Sequence, residues 1–127
     1  MRPSVLIIED SPSTAGLARM ALLDVPCDVT VAETAWRALD LLQTQLSPRV
    51  LVVDTHLPGV VPRSFVESLH AAAPAAAMVL LMDRGIATPV APGVRALLLK
   101  PLAPRRFAVV VSDLLSAGEP PEADFDS

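Results

Sequence analysis

The chain has 127 residues, of which 52% are hydrophobic and 3% aromatic, and a formal net charge of −4 at pH 7. This length and composition are typical of a single domain with an aliphatic core. No apolar run reaches the ~18 residues of a membrane span, so we expect no membrane insertion. The first strand starts too early to leave room for a signal peptide. No basic stripe is present, so we expect no nucleic-acid binding. The single cysteine, Cys27, excludes an internal disulfide and is typical of the reducing cytoplasm.

Charge is distributed unevenly along the chain. Residues 117–127 contain four acidic residues and no basic one, so residues 1–116 contain 14 − 4 = 10 acidic residues against ten basic ones. We therefore expect a domain at 1–116 and an acidic, disordered tail at 117–127, because such a composition buries too little apolar surface to fold alone. A docking segment is the alternative interpretation of the tail.

The first half of the chain alternates between strand and helix patterns. A strand at 5–8 is followed by a helix start at Ser11-Pro12, a second strand at 28–32 and a helix capped by Thr34. In the first helix the apolar residues at helical spacing are Leu17, Met20 and Ala21. In the second helix the predicted buried residues are Ala35, Ala38, Leu39, Leu42 and Leu46, whereas Trp36 is predicted to be exposed.

The second half repeats this alternation with one interruption. Strands are predicted at 50–54, 78–82 and 95–99, and helices at about 63–73 and from Pro104 onward. The predicted buried residues of these two helices are Phe65, Val66, Leu69, Phe107, Val110, Val111 and Leu114. Pro89 and Pro92 leave room for at most about one helical turn, around residues 84–88, between the last two strands.

These elements predict an α/β protein, a three-layer α/β/α sandwich of the flavodoxin-like (βα)5 type. The expected parallel sheet has the strand order 2-1-3-4-5, and the fourth helix is rudimentary or replaced by a loop.

Charged residues stand where three of the predicted strands end. Glu9 and Asp10 follow the first strand, Asp54 ends the third and Lys100 follows the fifth. Because the crevice of such a sheet lies at the carboxyl ends of its strands, we expect these side chains to converge. Three carboxylates beside one lysine repel one another unless a hard cation is present, and Mg²⁺ is the usual cation beside phosphate. Lys100 is the only lysine among ten basic residues, which indicates a need for a compact ammonium group.

The motifs around these residues resemble those of the receiver domain of two-component response regulators. They read Val-Leu-Ile-Ile-Glu9-Asp10-Ser11, then Val-Asp54-Thr-His-Leu-Pro58-Gly59, then Leu-Leu-Lys100-Pro101, and the resemblance covers roughly residues 3–116. It implies that Asp54 accepts a phosphoryl group and that Lys100 contacts it. It further implies a Mg²⁺ held by Asp10, Asp54 and the backbone carbonyl of His56, with Glu9 acting through a water, and a cis Lys100–Pro101 bond.

The resemblance also implies partners. A sensor histidine kinase or a histidine phosphotransfer protein would donate the phosphoryl group, and a downstream protein effector would read it. We expect a stand-alone receiver without enzymatic activity beyond phosphorylation and dephosphorylation at Asp54.

Several positions depart from the pattern of that family. Met82 stands where receivers carry a hydroxyl, and Leu97 stands where they carry the switch aromatic. Asp83 adds a carboxylate near the phosphoryl position, and we expect Arg84 to offset its charge. His56, two residues after the acceptor, is a candidate modulator of dephosphorylation, whereas His70 is predicted to lie at the surface.

Two other functions compete with a working receiver. A pseudo-receiver would bind proteins independently of phosphorylation, which the residues at 82, 83 and 97 favour. A Mg²⁺-dependent phosphatase of the haloacid dehalogenase type needs a second aspartate at position 56, which is histidine. A dinucleotide-binding site needs a glycine-rich turn, which Ser11 to Ala15 does not provide.

Overall fold

The computed structural model describes residues 2–85 and 91–117. The strands are β1 (Ser4–Ile8), β2 (Asp28–Ala32), β3 (Val50–Asp54), β4 (Ala77–Met82) and β5 (Val94–Leu99). The helices are α1 (Pro12–Ala21), α2 (Ala35–Thr44), α3 (Pro62–Ala72) and α4 (Pro104–Ala117). None of the helices in these two ranges is both long enough and apolar enough to cross a membrane.

All five strands form one parallel sheet with the order β2-β1-β3-β4-β5, which confirms the predicted topology. β1, β3 and β4 are the interior strands, where nearly every side chain is buried, as expected for a parallel sheet covered on both faces. β2 and β5 are the two edge strands.

A separate apolar core covers each face of the sheet. On one face α2 and α3 pack over alternate strand residues, and the largest fully buried side chains include Leu6, Leu51, Met78 and Leu80. On the other face α1 and α4 pack over the intervening residues, and Phe107 and Val111 of α4 are completely buried. This alternation follows from the two-residue period of a strand and produces the three predicted layers.

Local signals in the sequence set the helix starts. The Ser11 hydroxyl accepts from the Thr14 N–H at the start of α1, and the Thr34 hydroxyl accepts from the Arg37 N–H at the start of α2. α3 and α4 each begin at a proline. A proline is well tolerated there because the first helical N–H has no partner within the helix.

The buried faces of the helices agree with the sequence only in part. The predicted core residues of α3 and the exposure of Trp36 are confirmed. In α1, however, Ala15 and Ala18 face the sheet whereas Met20 is 68% exposed, because two adjacent apolar stripes run along this helix and the smaller residues permit the closer approach. In α2 the deeply buried residues are Ala38, as predicted, and Leu41, which was not predicted, whereas Ala35, Leu39, Leu42 and Leu46 are half-buried around them.

The connection from β4 to β5 is only eleven residues long, from Asp83 to Gly93. Its described parts, 83–85 and 91–93, are not helical, and most of the helical turn predicted around 84–88 lies outside the described residues. On the adjoining strand, Leu97 pairs with Leu80 and Leu99 pairs with Met82, so both leucines lie on the α2–α3 face of the sheet. They are 46% and 54% exposed.

His70 is more enclosed than its sequence position predicted. It is half-buried near the end of α3, and its Nδ1 is shielded from solvent with no hydrogen-bond partner among the described residues. Gly93 lies against it with φ +91°, and a Cβ on Gly93 would be 2.7 Å from the Nδ1 of His70. The backbone before β5 therefore packs directly on this imidazole.

Candidate functional site

Backbone hydrogen bonds hold the three charged strand ends beside one another. The Glu9 N–H donates to the Ala32 carbonyl at 3.0 Å, which extends the β1–β2 pairing by one residue. The Lys100 N–H donates to the Met82 carbonyl at 2.8 Å and fixes the residue after β5. Asp54 is itself the last residue of β3. The charged side chains are therefore carried by the sheet rather than by free loops.

Lys100 joins the two buried carboxylates. Its Nζ lies 2.7 Å from the Oδ1 of Asp54 and 3.9 Å from the Oε1 of Glu9. Asp54 is 2% exposed and Glu9 is 1% exposed, whereas the Lys100 side chain is 24% exposed. Burial disfavours the ammonium, but the hydrogen bond to Asp54 outweighs this effect and the pKa of Lys100 is raised. The Lys100–Pro101 peptide bond is cis, as the resemblance implied.

Asp54 is held in its ionised form. Burial alone would raise its pKa, but the neighbouring Glu9 carboxyl and the hydrogen bonds from Lys100 and the His56 N–H prevail and lower the pKa below its usual value. The His56 N–H donates to Oδ1 at 2.9 Å, and this is the same oxygen that Lys100 contacts. Both donors therefore engage the same oxygen of the Asp54 carboxylate.

The pKa of Glu9 is shifted in the opposite direction. Burial and then its interaction with Asp54 raise the pKa of Glu9 to about 8. Its Oε2 accepts from the Asp10 N–H at 3.1 Å, whereas its Oε1 is shielded from solvent without a hydrogen-bond partner among the described residues. A buried acceptor of this kind is unfavourable unless a proton or a cation satisfies it. Without a metal ion, the pocket therefore keeps a proton on Glu9.

The acidic residues can hold a metal ion. One carboxylate oxygen from each of Glu9, Asp10 and Asp54 lies within 4.8 Å of the others, and Asp10 is exposed at the mouth of the pocket. All three donors are oxygens, the set that Mg²⁺ prefers. The unsatisfied Oε1 of Glu9 provides an independent observation that the pocket is short of positive charge. These residues fit a Mg²⁺ site.

The two predicted switch positions differ in their surroundings. Met82 is 3% exposed and packs in the core on the α2–α3 face, at the end of β4 beside the site. Its thioether offers no donor. Leu97 lies three residues before Lys100 and is 46% exposed. The structure thus places an apolar side chain at each of these positions.

His56 and Asp83 meet over the outer side of the site. The Nδ1 of His56 lies 3.5 Å from the Oδ2 of Asp83, and the two side chains are 75% and 43% exposed. Arg84 is also exposed, and among the described residues it forms no ion pair with Asp83. The side chain that approaches the Asp83 carboxylate is therefore His56 rather than the predicted Arg84.

One residue of the site was missed in the sequence. Thr55 is 6% exposed, and both its N–H and its hydroxyl donate to the Leu81 carbonyl at 3.1 Å. This double contact ties the end of β3 to β4 directly beside Asp54. The sequence shows only a threonine next to the end of a predicted strand, which points to a candidate but not to its partner.

No protein-family model matches the chain. An uncharacterised 14.6 kDa protein from the sodA1 3′ region of Leptolyngbya boryana is 43% identical over 54 residues, which are 42% of this chain and 40% of that protein. The match thus spans less than half the length of that relative.

Solved structures with the same fold are response regulator receiver domains. They include a CheY-like receiver domain protein from Methanospirillum hungatei (TM-score 0.80, 20% identity), covering 91% of this chain and 95% of that chain. The receiver domain of an HD domain-containing protein from Pseudomonas fluorescens has a TM-score of 0.81 at 19% identity, with coverages of 91% and 96%. A response regulator from Thermotoga maritima has a TM-score of 0.78 at 18% identity, with coverages of 91% and 99%. The chain therefore has the receiver-domain fold, as the resemblance predicted.

Proposed function

We propose that this protein is a response regulator receiver that accepts a phosphoryl group on Asp54 in a Mg²⁺-dependent reaction. The observation that carries the proposal is the 2.7 Å contact between the Lys100 Nζ and the Asp54 Oδ1, with Glu9 and Asp10 beside it. A sensor histidine kinase or a histidine phosphotransfer protein in the cytoplasm is the proposed donor. The signal then passes to a downstream protein effector, and the protein catalyses no reaction other than its own phosphorylation and dephosphorylation.

The proposed chemistry is an in-line displacement at phosphorus. An oxygen of the Asp54 carboxylate attacks the phosphorus of a phosphohistidine, the new O–P bond forms an acyl phosphate, and the P–N bond breaks. The electron pair of that bond returns to the imidazole of the donor, which takes up a proton. The lowered pKa of Asp54 supports this role because it keeps the nucleophile ionised at neutral pH.

The remaining residues of the site stabilise charge. The ammonium of Lys100 now contacts the Oδ1 of Asp54. Once Asp54 carries the phosphoryl group, the same ammonium can contact a phosphoryl oxygen and stabilise its charge. Asp10, Asp54 and the His56 carbonyl would hold Mg²⁺, with Glu9 acting through a water. When bound, the ion neutralises charge on the carboxylate and on the phosphoryl oxygens.

We propose that exposed residues near Asp54 set the lifetime of the acyl phosphate. His56 follows Asp54 by two residues, and its exposed side chain lies 3.5 Å from the exposed side chain of Asp83. Both are open to the water that hydrolysis of the phosphoryl group consumes. Arg84 is a third, exposed modulator beside them.

The acceptor is tested with a small phosphodonor and Mg²⁺, followed by intact mass. We expect the wild type to gain one phosphoryl group and Asp54→Asn to gain none. Asp24→Asn is the matched control, because it removes an exposed carboxylate that lies outside the pocket. A mass gain that persists in Asp54→Asn would assign the phosphoryl group to another residue.

The second candidate function is a pseudo-receiver that binds a protein partner independently of phosphorylation. It is favoured by the apolar residues at the two switch positions, Met82 and Leu97. The two functions differ in one observable. For a pseudo-receiver, the wild type and Asp54→Asn bind the partner equally well, with or without a phosphodonor. For a receiver that signals by phosphorylation, the phosphodonor raises the affinity of the wild type but not that of Asp54→Asn.

A further inference from the structure

A groove runs along the free edge of β5 and the start of α4. Its volume is about 260 Å³, and it is lined by Leu97, Leu98, Leu99, Ala103 and Arg106. Leu98 is buried beneath α4, so its neighbours Leu97 and Leu99 provide the exposed apolar wall. The groove is separate from the carboxylate pocket.

The apolar wall follows a short connection between β4 and β5. Leu97 and Leu99 continue the row that contains Leu80 and Met82, which are buried under α3. In a βα repeat the helix before β5 would cover this part of the sheet, but only eleven residues join β4 to β5. Two leucines that are each about half exposed on an edge strand indicate a binding surface.

One arginine lines the groove and two more, which we group with it as the rim, lie close to its lining residues in the chain. Arg106 lines the groove itself, Arg105 precedes it in α4, and Arg95 lies on β5. All three are exposed, and none forms a salt bridge within the described parts of the chain. An occupant that combines an apolar side chain with carboxylates would match this surface.

We propose that residues 118–127 of the same chain occupy this groove. Their sequence is Gly-Glu-Pro-Pro-Glu-Ala-Asp-Phe-Asp-Ser, with four carboxylates, no basic residue and one large apolar side chain, Phe125. Phe125 packs against Leu97 and Leu99, and the flanking Asp124 and Asp126 face the arginines of the rim. This inference goes beyond the proposed function and does not depend on phosphorylation of Asp54.

The length of the segment permits this path. α4 has 14 residues and is therefore ~21 Å long, and the groove lies at its first turn. From Ala117, the eight residues to Phe125 span up to ~26 Å when extended. The segment can therefore return along α4 from its last residue to its first turn.

Charge also favours this occupant over a second copy of the same surface. Two copies meeting at their grooves would bring the arginines of both rims together, which is unfavourable. Tethering, in contrast, gives the segment a high effective concentration at its own groove, on the order of millimolar. A protein partner that uses the β5–α4 surface must therefore displace the segment.

Disulfide trapping in the full-length protein tests the proposal. In a Cys27→Ala background, Ala123→Cys is paired with Ala103→Cys in the groove or with Val109→Cys as the matched control. Val109 is 59% exposed and lies on the same helix, so it samples random collisions of the tail without belonging to the groove. We expect the 123–103 disulfide to form about tenfold faster than the 123–109 disulfide.

Three further outcomes decide the interpretation. Arg106→Glu and Phe125→Ala, each added to the 123–103 pair, are expected to abolish its advantage over the control. Equal rates for the two pairs, or an advantage that survives both substitutions, would overturn the proposal. Disulfide-linked dimers as the main product would also overturn it, because the segment would then belong to a second copy.

Discussion

Glu9 is the residue whose ionisation depends most on what occupies the pocket. It shares a buried site with Asp54, and within residues 2–85 and 91–117 Lys100 is the one basic side chain that pairs with them. The two carboxyl groups therefore diverge, since the pKa of Asp54 is lowered and that of Glu9 is raised to about 8. This divergence makes the metal-free pocket a proton-binding site.

Glu9 should make the metal-free protein less stable as the pH rises from about 4.5 to about 8. Below pH 4.5 the carboxyl is protonated in both the folded and the unfolded chain. Above it the unfolded chain releases the proton while the folded chain retains it, so the folding equilibrium constant falls by up to about tenfold per pH unit. Above pH 8 both forms are ionised and the effect levels off.

Urea denaturation in EDTA at several pH values measures this effect. Glu9→Gln should flatten the curve between pH 5 and 8, whereas the exposed control Glu67→Gln should follow the wild type. Asp54 and Lys100 do not obscure the result, because the pKa of Asp54 lies below 3.8 and that of Lys100 above 10.5. Parallel curves for the wild type and Glu9→Gln would contradict the raised pKa.

Gly93 is the position where a single added methyl group should be most damaging. At φ +91° an alanine is strained, and its Cβ would lie 2.7 Å from the Nδ1 of His70. We expect Gly93→Ala to lower the free energy of unfolding by about 1–3 kcal/mol. Gly16→Ala, in the open middle of α1, should instead raise it by about 0.5–1 kcal/mol. Chemical denaturation of both variants decides the comparison, and equal effects would contradict this packing.

At the scale of elements, β4 and β5 carry the largest departure from the receiver pattern. The phosphoryl group can shift an equilibrium only through contacts that differ between two states. Met82 is a buried core side chain without a donor, and Leu97 has no ring to turn inward. In the proposed function, coupling between the site and the β4–β5 surface would therefore lack both the hydroxyl and the aromatic ring that the resemblance implies.

Phosphorylation, or a beryllofluoride mimic of it, should accordingly move residues 82–100 little. Amide chemical shifts measured with and without the mimic test this, and the larger changes are expected after Pro58 or within 83–93. Affinity for the physiological partner should change by less than ~1.4 kcal/mol, or about tenfold. A hundredfold change would mean that the altered switch works by another route.

The helices show which features local sequence can and cannot determine. Ser11 and Thr34 cap their helices as predicted, because capping depends on bonds within one turn. The side of α1 that faces the sheet was not determined in this way. Its two apolar stripes are equivalent in sequence, and only packing against β1 and α4 selects the stripe with Ala15 and Ala18.

At the scale of the whole molecule, most of the site could be predicted from the charged residues at the ends of the predicted strands. Glu9, Asp54 and Lys100 come together because parallel strands place their carboxyl ends at one edge of the sheet. The approach of His56 to Asp83 was not predictable, since it joins segments 83 − 56 = 27 residues apart on different loops. The anchoring of Thr55 to Leu81 joins residues 81 − 55 = 26 apart and depends on the pairing register of β3 and β4, which the sequence does not show directly.

The central claim is that Asp54 accepts a phosphoryl group only when a metal ion is bound in the pocket. One titration tests this claim directly. The phosphorylated fraction is measured by intact mass while Mg²⁺ is raised from zero, with EDTA present at the start, in the wild type and in Asp10→Asn. We predict no mass gain without Mg²⁺, a saturable gain in the wild type, and a requirement for at least about tenfold more Mg²⁺ in Asp10→Asn. Phosphorylation that is equally fast in EDTA, or identical titrations of the two proteins, would contradict the account.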